Sequence, residues 1–175
     1  MLATLSDDFM PVLRPTVYVE TSVVSYLTAK TSRDVVRLAR QQLTREWWER
    51  RSRFELVVSY AVIDEAGRGD RAAAELRVAA LEGLLELPLT EAVLKLADQL
   101  IAEHALPAKA QVDALHIAVA AVHGVNYLLT WNCRHIANAA RREDIERTCE
   151  NAGHRAPIIC TPDELAEEDE DGNDG

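Results

Sequence analysis

Thr16-Val17-Tyr18-Val19-Glu20-Thr21-Ser22 is an apolar, β-prone run that drives straight into an acid. In an open α/β sheet, functional groups gather at the carboxyl ends of the strands. A strand ending at Glu20 therefore delivers a carboxylate to that edge. Two downstream segments answer it: Gln111-Val112-Asp113-Ala114-Leu115-His116-Ile117-Ala118 and Asn126-Tyr127-Leu128-Leu129-Thr130-Trp131-Asn132. Each brings another oxygen-bearing side chain to the same edge. Such groups repel one another when charged unless a cation sits among them, so the pattern points to a divalent-metal site.

Outward from this run, strand-like and helix-like segments alternate, as in a parallel sheet flanked by helices. Ser32-Arg33-Asp34 opens a long helical pattern that sets Val35, Val36, Leu38, Ala39, Leu43, Trp47 and Trp48 broadly on one side, to lie on the sheet; the Trp47-Trp48 pair reads as a buried anchor, with an exposed tryptophan for a protein partner or dimer as the alternative. Phe54 to Ser59 reads as a strand, and a helix carrying Asp64 and Glu65 follows it. Asp70 suits the N-cap of an alanine-rich helix through Ala80. Leu84 to Leu87 is a third strand closed by Pro88, and Thr90 caps a helix reaching about His104, with Glu91 placed to favour the helix dipole. Val112 to Val122 is apolar almost all round except Asp113 and His116, which requires a buried helix. Tyr127 to Thr130 and Pro157 to Cys160 complete the strands.

The 175 residues, 48% apolar, suit one globular domain with its own core. We divide them into an N-terminal extension over 1–14, a domain over 15–162 and an acidic tail over 163–175. No apolar run is long enough to cross a bilayer and no export signal is read at the start, which gives the expectation of a cytoplasmic protein. Cys133, Cys149 and Cys160 form no C-x-x-C pair, as expected for reduced thiols, and a zinc site from Cys133, His135, Cys149 and His154 matches no finger or ribbon spacing. The net charge of −10 is unevenly spread: residues 163–175 hold eight acids and no base, leaving the body at −2 with all 19 Lys and Arg. Such a tail reads as a solvated end, with competition for a basic groove as its alternative.

The residues quoted so far resemble the PIN domain, and within it the VapC-type toxins of type II toxin-antitoxin pairs. Val17 to Ser22 matches the opening strand and first acid, and Val58-Ser59 through Glu65 the second. Asp113-Ala114-Leu115-His116-Ile117-Ala118 matches the third acid, and Leu128-Leu129-Thr130-Trp131-Asn132 the fourth position. The resemblance implies a three-layer α/β/α sandwich with a central parallel sheet of about five strands. It implies a ribonuclease that hydrolyses RNA with Mg²⁺ or Mn²⁺ and an activated water. Glu20, Glu65 and Asp113 would hold the metal, with Asn132 completing the catalytic set. It also implies a small antitoxin as partner, a homodimer, and no membrane.

Two positions depart from the family. Glu20 stands where aspartate is usual and reaches one methylene, about 1.5 Å, further. Asn132 stands where an acid is usual and brings a carbonyl oxygen without charge. A weakened PIN-like module that binds RNA or a protein is thus the second reading. A nucleotide-binding doubly wound domain is a third, and it lacks any G-x-G-x-x-G or P-loop among the seven glycines.

Asp64 is an alternative to Glu65, and Asp113 also suits a first-turn helix acid. Thr21 or Ser22 suits either a hydrogen bond to a ligand water or phosphate, or an ordinary strand end; Thr130 has a similar place. His116 reads as a satisfied buried histidine and His135 as a loop residue, and either is a candidate proton donor to a leaving oxygen. Arg33, Arg68, Arg134, Arg141 and Arg142 are the cations available for RNA.

Overall fold

In the computed structural model, which describes residues 13–166, five strands form one parallel sheet. They are β1 (Thr16–Val19), β2 (Glu55–Ser59), β3 (Leu85–Leu87), β4 (Tyr127–Leu129) and β5 (Ile158–Cys160). Their order across the sheet is β3-β2-β1-β4-β5. The chain builds outward from β1 to one edge, then returns to β1 and builds outward to the other. That reversal opens a crevice beyond the carboxyl ends of β1 and β4, the switch point at which such sheets take ligands. Glu20 follows β1 and Thr130 follows β4, and the backbone N–H of Glu20 donates to Leu129 O at 3.1 Å.

Central position explains the composition of β1. Val17, Tyr18 and Val19 are all fully buried, as befits a parallel strand covered on both faces. The helices that cover it are α1 (Thr21–Thr28), α2 (Val35–Glu49), α3 (Tyr60–Ala66), α4 (Arg71–Leu81), α5 (Glu91–Ala102), α6 (Gln111–Val122) and α7 (Ala139–Asn151). Right-handed crossovers assign α1–α4 to one face and α5–α7 to the other. The packing follows that division: α1 meets α2, α3 and α4, while α5 meets α6 and α7. Contact between α3 and α6 joins the two groups.

Several helix starts fall where the sequence places them. Asp34 accepts from Arg37 N at 2.8 Å, Asp70 from Ala73 N at 2.9 Å and Thr90 from Val93 N at 3.3 Å, each cap supplying an acceptor to a first-turn N–H that has no intrahelical partner. Helix α6 is the buried helix that its apolar circumference requires: Ala114 and residues 116–121 are buried along it. Each large side chain such as Ile117 contributes about 1.5–3 kcal/mol relative to exposure.

The expected face of α2 is corrected. Its buried residues are Gln41, Thr44 and Trp47, whereas Val35 and Val36 are 79% and 62% exposed. Polar side chains are buried here because they are bonded. Gln41 accepts from Ser32 N at 2.9 Å and donates to Lys30 O at 2.8 Å, and Thr44 donates to Arg40 O at 2.6 Å while accepting from Trp131 Nε1 at 2.8 Å. Trp47 is the buried anchor, stacked on Phe54 with ring centroids 5.8 Å apart, and α2 packs against α1.

Residues 1–12 of the N-terminal extension and 167–175 of the acidic tail lie outside the described residues. Glu164 and Leu165, counted with the tail in the sequence, are tied to the body. Glu164 accepts from the Thr161 N–H at 2.8 Å and its hydroxyl at 3.0 Å, and Arg53 donates to Leu165 O at 3.2 Å. Among the described residues no helix is long and apolar enough to cross a membrane.

Candidate active site

Glu20 leaves the central strand and caps α1 with its own side chain. Its carboxylate accepts from Ser22 N at 3.1 Å, from the Ser22 hydroxyl, and from Thr130 Oγ1 at 2.6 Å. Three donors and the N-terminus of α1 compensate a carboxylate that is almost wholly buried. Thr130 arrives from β4, and Ser22 Oγ also accepts from Trp131 N at 2.8 Å. The acid is thus locked across the β1–β4 switch point.

Glu65 enters from α3. Its Oε2 accepts from Thr21 Oγ1 at 2.7 Å and lies 2.9 Å from His116 Nε2 on α6. Partial burial pushes the Glu65 carboxyl up, but the hydrogen bonds from His116 and Thr21, with the charges of His116 and Arg68, outweigh it and hold it below its usual value. Neighbouring Asp64 turns away to pair with Arg68, which leaves Glu65 as the acid facing the site.

His116 is 1% exposed, and both of its ring nitrogens are bonded. Nδ1 lies 2.8 Å from the Tyr18 hydroxyl, which lies 2.7 Å from Ser59 Oγ. A carboxylate only accepts, so with a neutral ring the proton sits on Nε2, and Nδ1 accepts from Tyr18 while Tyr18 accepts from Ser59. Burial pushes the Tyr18 phenol up, the Ser59 hydrogen bond draws it partly back, and the charges of Glu20 and Glu65 add to the rise, so it stays protonated.

Asp113 stands one turn before His116 and takes different partners. Its Oδ1 accepts from Asn132 Nδ2 at 2.8 Å and its Oδ2 lies 2.7 Å from His135 Nδ1. Asn132 in turn accepts from His135 N at 3.2 Å and donates its own N–H to Thr130 Oγ1 at 2.9 Å.

Among the described residues, Glu20, Glu65 and His116 form the group able to hold a metal, with one ligand atom from each within 4.8 Å of the others. The sequence reading named two of the three. Asp113 lies outside this group, and its carboxylate is engaged by Asn132 and His135 instead. Cys133, Cys149, His135 and His154 form no such cluster. All three cysteines are free, Cys133 exposed and the other two buried.

Over residues 17–142 the sequence matches the PIN domain. The chain belongs to the PIN-domain family. The matched stretch carries every site residue described above and stops before β5. Mycobacterium tuberculosis VapC20, described as a sarcin-ricin loop cleaving toxin, has a crystal structure that superposes with a TM-score of 0.53 at 19% identity, covering 70% of this chain and 95% of its own. That likeness establishes the fold. Among curated proteins, none matches in sequence at a significant level.

Within this PIN domain, Thr21 and Ser22 bond the acids themselves: Thr21 holds Glu65 and Ser22 holds Glu20. Tyr18 and Ser59 are supporting residues that the sequence shows only as members of their strands. A tyrosine inside a fully buried strand needs a partner for its hydroxyl, and that requirement was the available signal. Of the candidate RNA-binding cations, Arg68 is paired with Asp64, while Arg141 and Arg142 donate to His104 O at 3.3 Å and Ile159 O at 3.4 Å. Arg33 and Arg134 are exposed.

Proposed function

We propose that this chain is a metal-dependent endoribonuclease of the VapC toxin kind, hydrolysing RNA phosphodiester bonds at the β1–β4 switch point. One observation carries the reading: two glutamates with carboxylate capacity left over converge with His116 within 4.8 Å in a PIN domain. Glu65 bonds through Oε2 alone, and Oε1 of Glu20 takes a single donor. Hard divalent cations favour such oxygens, so the donor set fits Mg²⁺ or Mn²⁺. A bound cation supplies a more acidic water and offsets charge building on the phosphate.

The chain's own residues do the rest. Glu20 and Glu65 would hold the cation, and Asp113 would add the third negative charge. Asn132 orients Asp113 through its amide. His135, fixed through Nδ1 to Asp113, has no protein partner at Nε2 among the described residues, which leaves that nitrogen for the leaving oxygen of the substrate. Water is the nucleophile, so no covalent enzyme intermediate forms.

By the same reading the partners are RNA and a small antitoxin, the chain works as a homodimer, and it acts in the cytoplasm. A second reading, a PIN module that binds RNA or protein with little catalysis, is favoured by the Asn132 amide, which spends a donor on Asp113 at 2.8 Å where a fourth carboxylate would add charge. The deciding experiment is cleavage of a single-stranded RNA pool in Mn²⁺, in Mg²⁺ and in chelator, with Asp113→Asn and Glu65→Gln purified identically. Metal-dependent cutting lost in both variants supports the nuclease. RNA retention without cutting selects the second reading.

A further inference from the structure

His116 sits at this site in a way that an all-carboxylate centre does not need. Its Nε2 is 2.9 Å from Glu65 Oε2, and it belongs with Glu20 and Glu65 to the one group of ligand atoms within 4.8 Å among the described residues. Two neighbouring ligands on an octahedral ion with bonds of about 2.1 Å stand about 3.0 Å apart, and opposite ones about 4.2 Å. The Nε2 to Oε2 separation of 2.9 Å already matches the first figure, and the outer bound of 4.8 Å exceeds the second by about 0.6 Å.

The other face of the ring is prepared as well. Histidines that ligate metals nearly always place their second nitrogen against an oxygen that fixes the tautomer and the ring plane. Here Nδ1 is 2.8 Å from the Tyr18 hydroxyl, itself 2.7 Å from Ser59 Oγ, and all three side chains are buried. A hydroxyl oxygen can accept from Nδ1–H as well as donate to Nδ1. In the other neutral tautomer the proton that Nε2 gives up is carried on Nδ1, the Tyr18 oxygen accepts from it while its own O–H turns to Ser59 Oγ, and the lone pair of Nε2 then faces Glu65 and Glu20.

We propose that His116 is a metal ligand, making the centre a mixed nitrogen–oxygen site of Glu20, Glu65 and His116 that selects a first-row divalent ion over Mg²⁺. This deepens the nuclease reading and rests on it. An imidazole nitrogen is taken more readily by first-row divalent ions, with affinity rising along the series from Mn²⁺, whereas Mg²⁺ favours oxygen and gives up its waters reluctantly. Tyr18 is a positioning residue in this arrangement, acting on the cation through the ring it orients.

The test uses the full chain without RNA. Mn²⁺ and Mg²⁺ are titrated calorimetrically, and the Mn²⁺-loaded protein is read by pulsed electron paramagnetic resonance for coupling to an imidazole nitrogen. The expected result is nitrogen coupling in the wild type, its loss in His116→Gln, and Mn²⁺ affinity at least 10-fold above that of Mg²⁺. Should His116→Gln fail to fold, judged by circular dichroism, Tyr18→Phe serves instead. It retains the ligand and is expected to lose about 10- to 100-fold in Mn²⁺ affinity. Mn²⁺ held without nitrogen coupling, and lost in Glu20→Gln and Glu65→Gln, overturns the inference while leaving the carboxylate nuclease standing. No binding of either cation overturns both.

Discussion

The Thr130 hydroxyl donates to Glu20 Oε2 at 2.6 Å across 110 positions of sequence, and Thr130 Oγ1 itself accepts from Asn132 N at 2.9 Å. One small side chain at the end of β4 thus couples the first acid to the loop that carries Asn132. A hydrogen bond to a buried carboxylate is charge-assisted, and its loss leaves part of that charge uncompensated. Thr130→Val is expected to lower stability by about 1.5–3 kcal/mol, read from urea unfolding, whereas Thr130→Ser retains the hydroxyl and most of the stability. Equal destabilisation by both variants would mean that the methyl group, and not the hydroxyl, is what matters at this position.

The chain Ser59–Tyr18–His116–Glu65 gives a second expectation. Tyr18→Phe removes one oxygen and strips a partner from both Ser59 and His116, each buried. The cost should be about 1–3 kcal/mol. Adding Ser59→Ala to Tyr18→Phe should cost less than the two singles summed, since the serine has already lost its bond. Strict additivity in the urea midpoints would show that the two hydroxyls are not coupled.

What the sequence made legible, and what it did not, follows from where each signal lives. β1 was readable because a β-branched run ending in an acid can satisfy both burial and charge only at a strand end. Helix α6 was readable because an apolar circumference leaves no solvent face. By contrast, α1 carries Thr21, Val23, Val24 and Thr28, β-branched residues that favour strands when read alone. Only capping by Glu20 and burial of Val23 and Val24 commit it to a helix. Helix α7 is not legible in the sequence, because so charged a helix offers little apolar period. At the site, the spacing of Asp113 and His116 put both one turn apart on α6, but their partners are set by α3 and the loop after β4. Tertiary approach, which no local pattern encodes, sent His116 to Glu65 and Asp113 to His135 and Asn132.

The corrected face of α2 makes a sharp contrast available. Val35 and Val36 touch little, so Val35→Lys or Val36→Lys should change stability by no more than about 0.5 kcal/mol. Trp47→Ala, one face away, empties a buried site against Phe54 and should cost about 3–5 kcal/mol. Thermal or urea unfolding of the three variants decides it. A large loss at Val35 or Val36 would place the valines against the body.

Three thiols should react very differently. Burial pushes Cys149 up to about 11 and Cys160 up to about 12, with nearby acidic side chains adding to each. The thiolate is the reactive form, so both stay inert near neutral pH, while Cys133 is exposed. A thiol-disulfide reagent should titrate one group quickly in the native chain and the other two only on unfolding. Cys133→Ser should abolish the fast phase.

Acid should act through Glu65. Its carboxyl is held below its usual value in the folded chain by His116 and Thr21, against the opposing push of partial burial. The unfolded chain therefore takes up that proton first as pH falls. The stabilisation is present above the unfolded value, near pH 4.5, and is lost as pH drops through the lower folded value. Urea midpoints measured in chelator between neutral pH and pH 3 should fall more steeply for the wild type than for Glu65→Gln. Parallel curves would show that the Glu65 contacts to His116 and Thr21 do not favour its charged form.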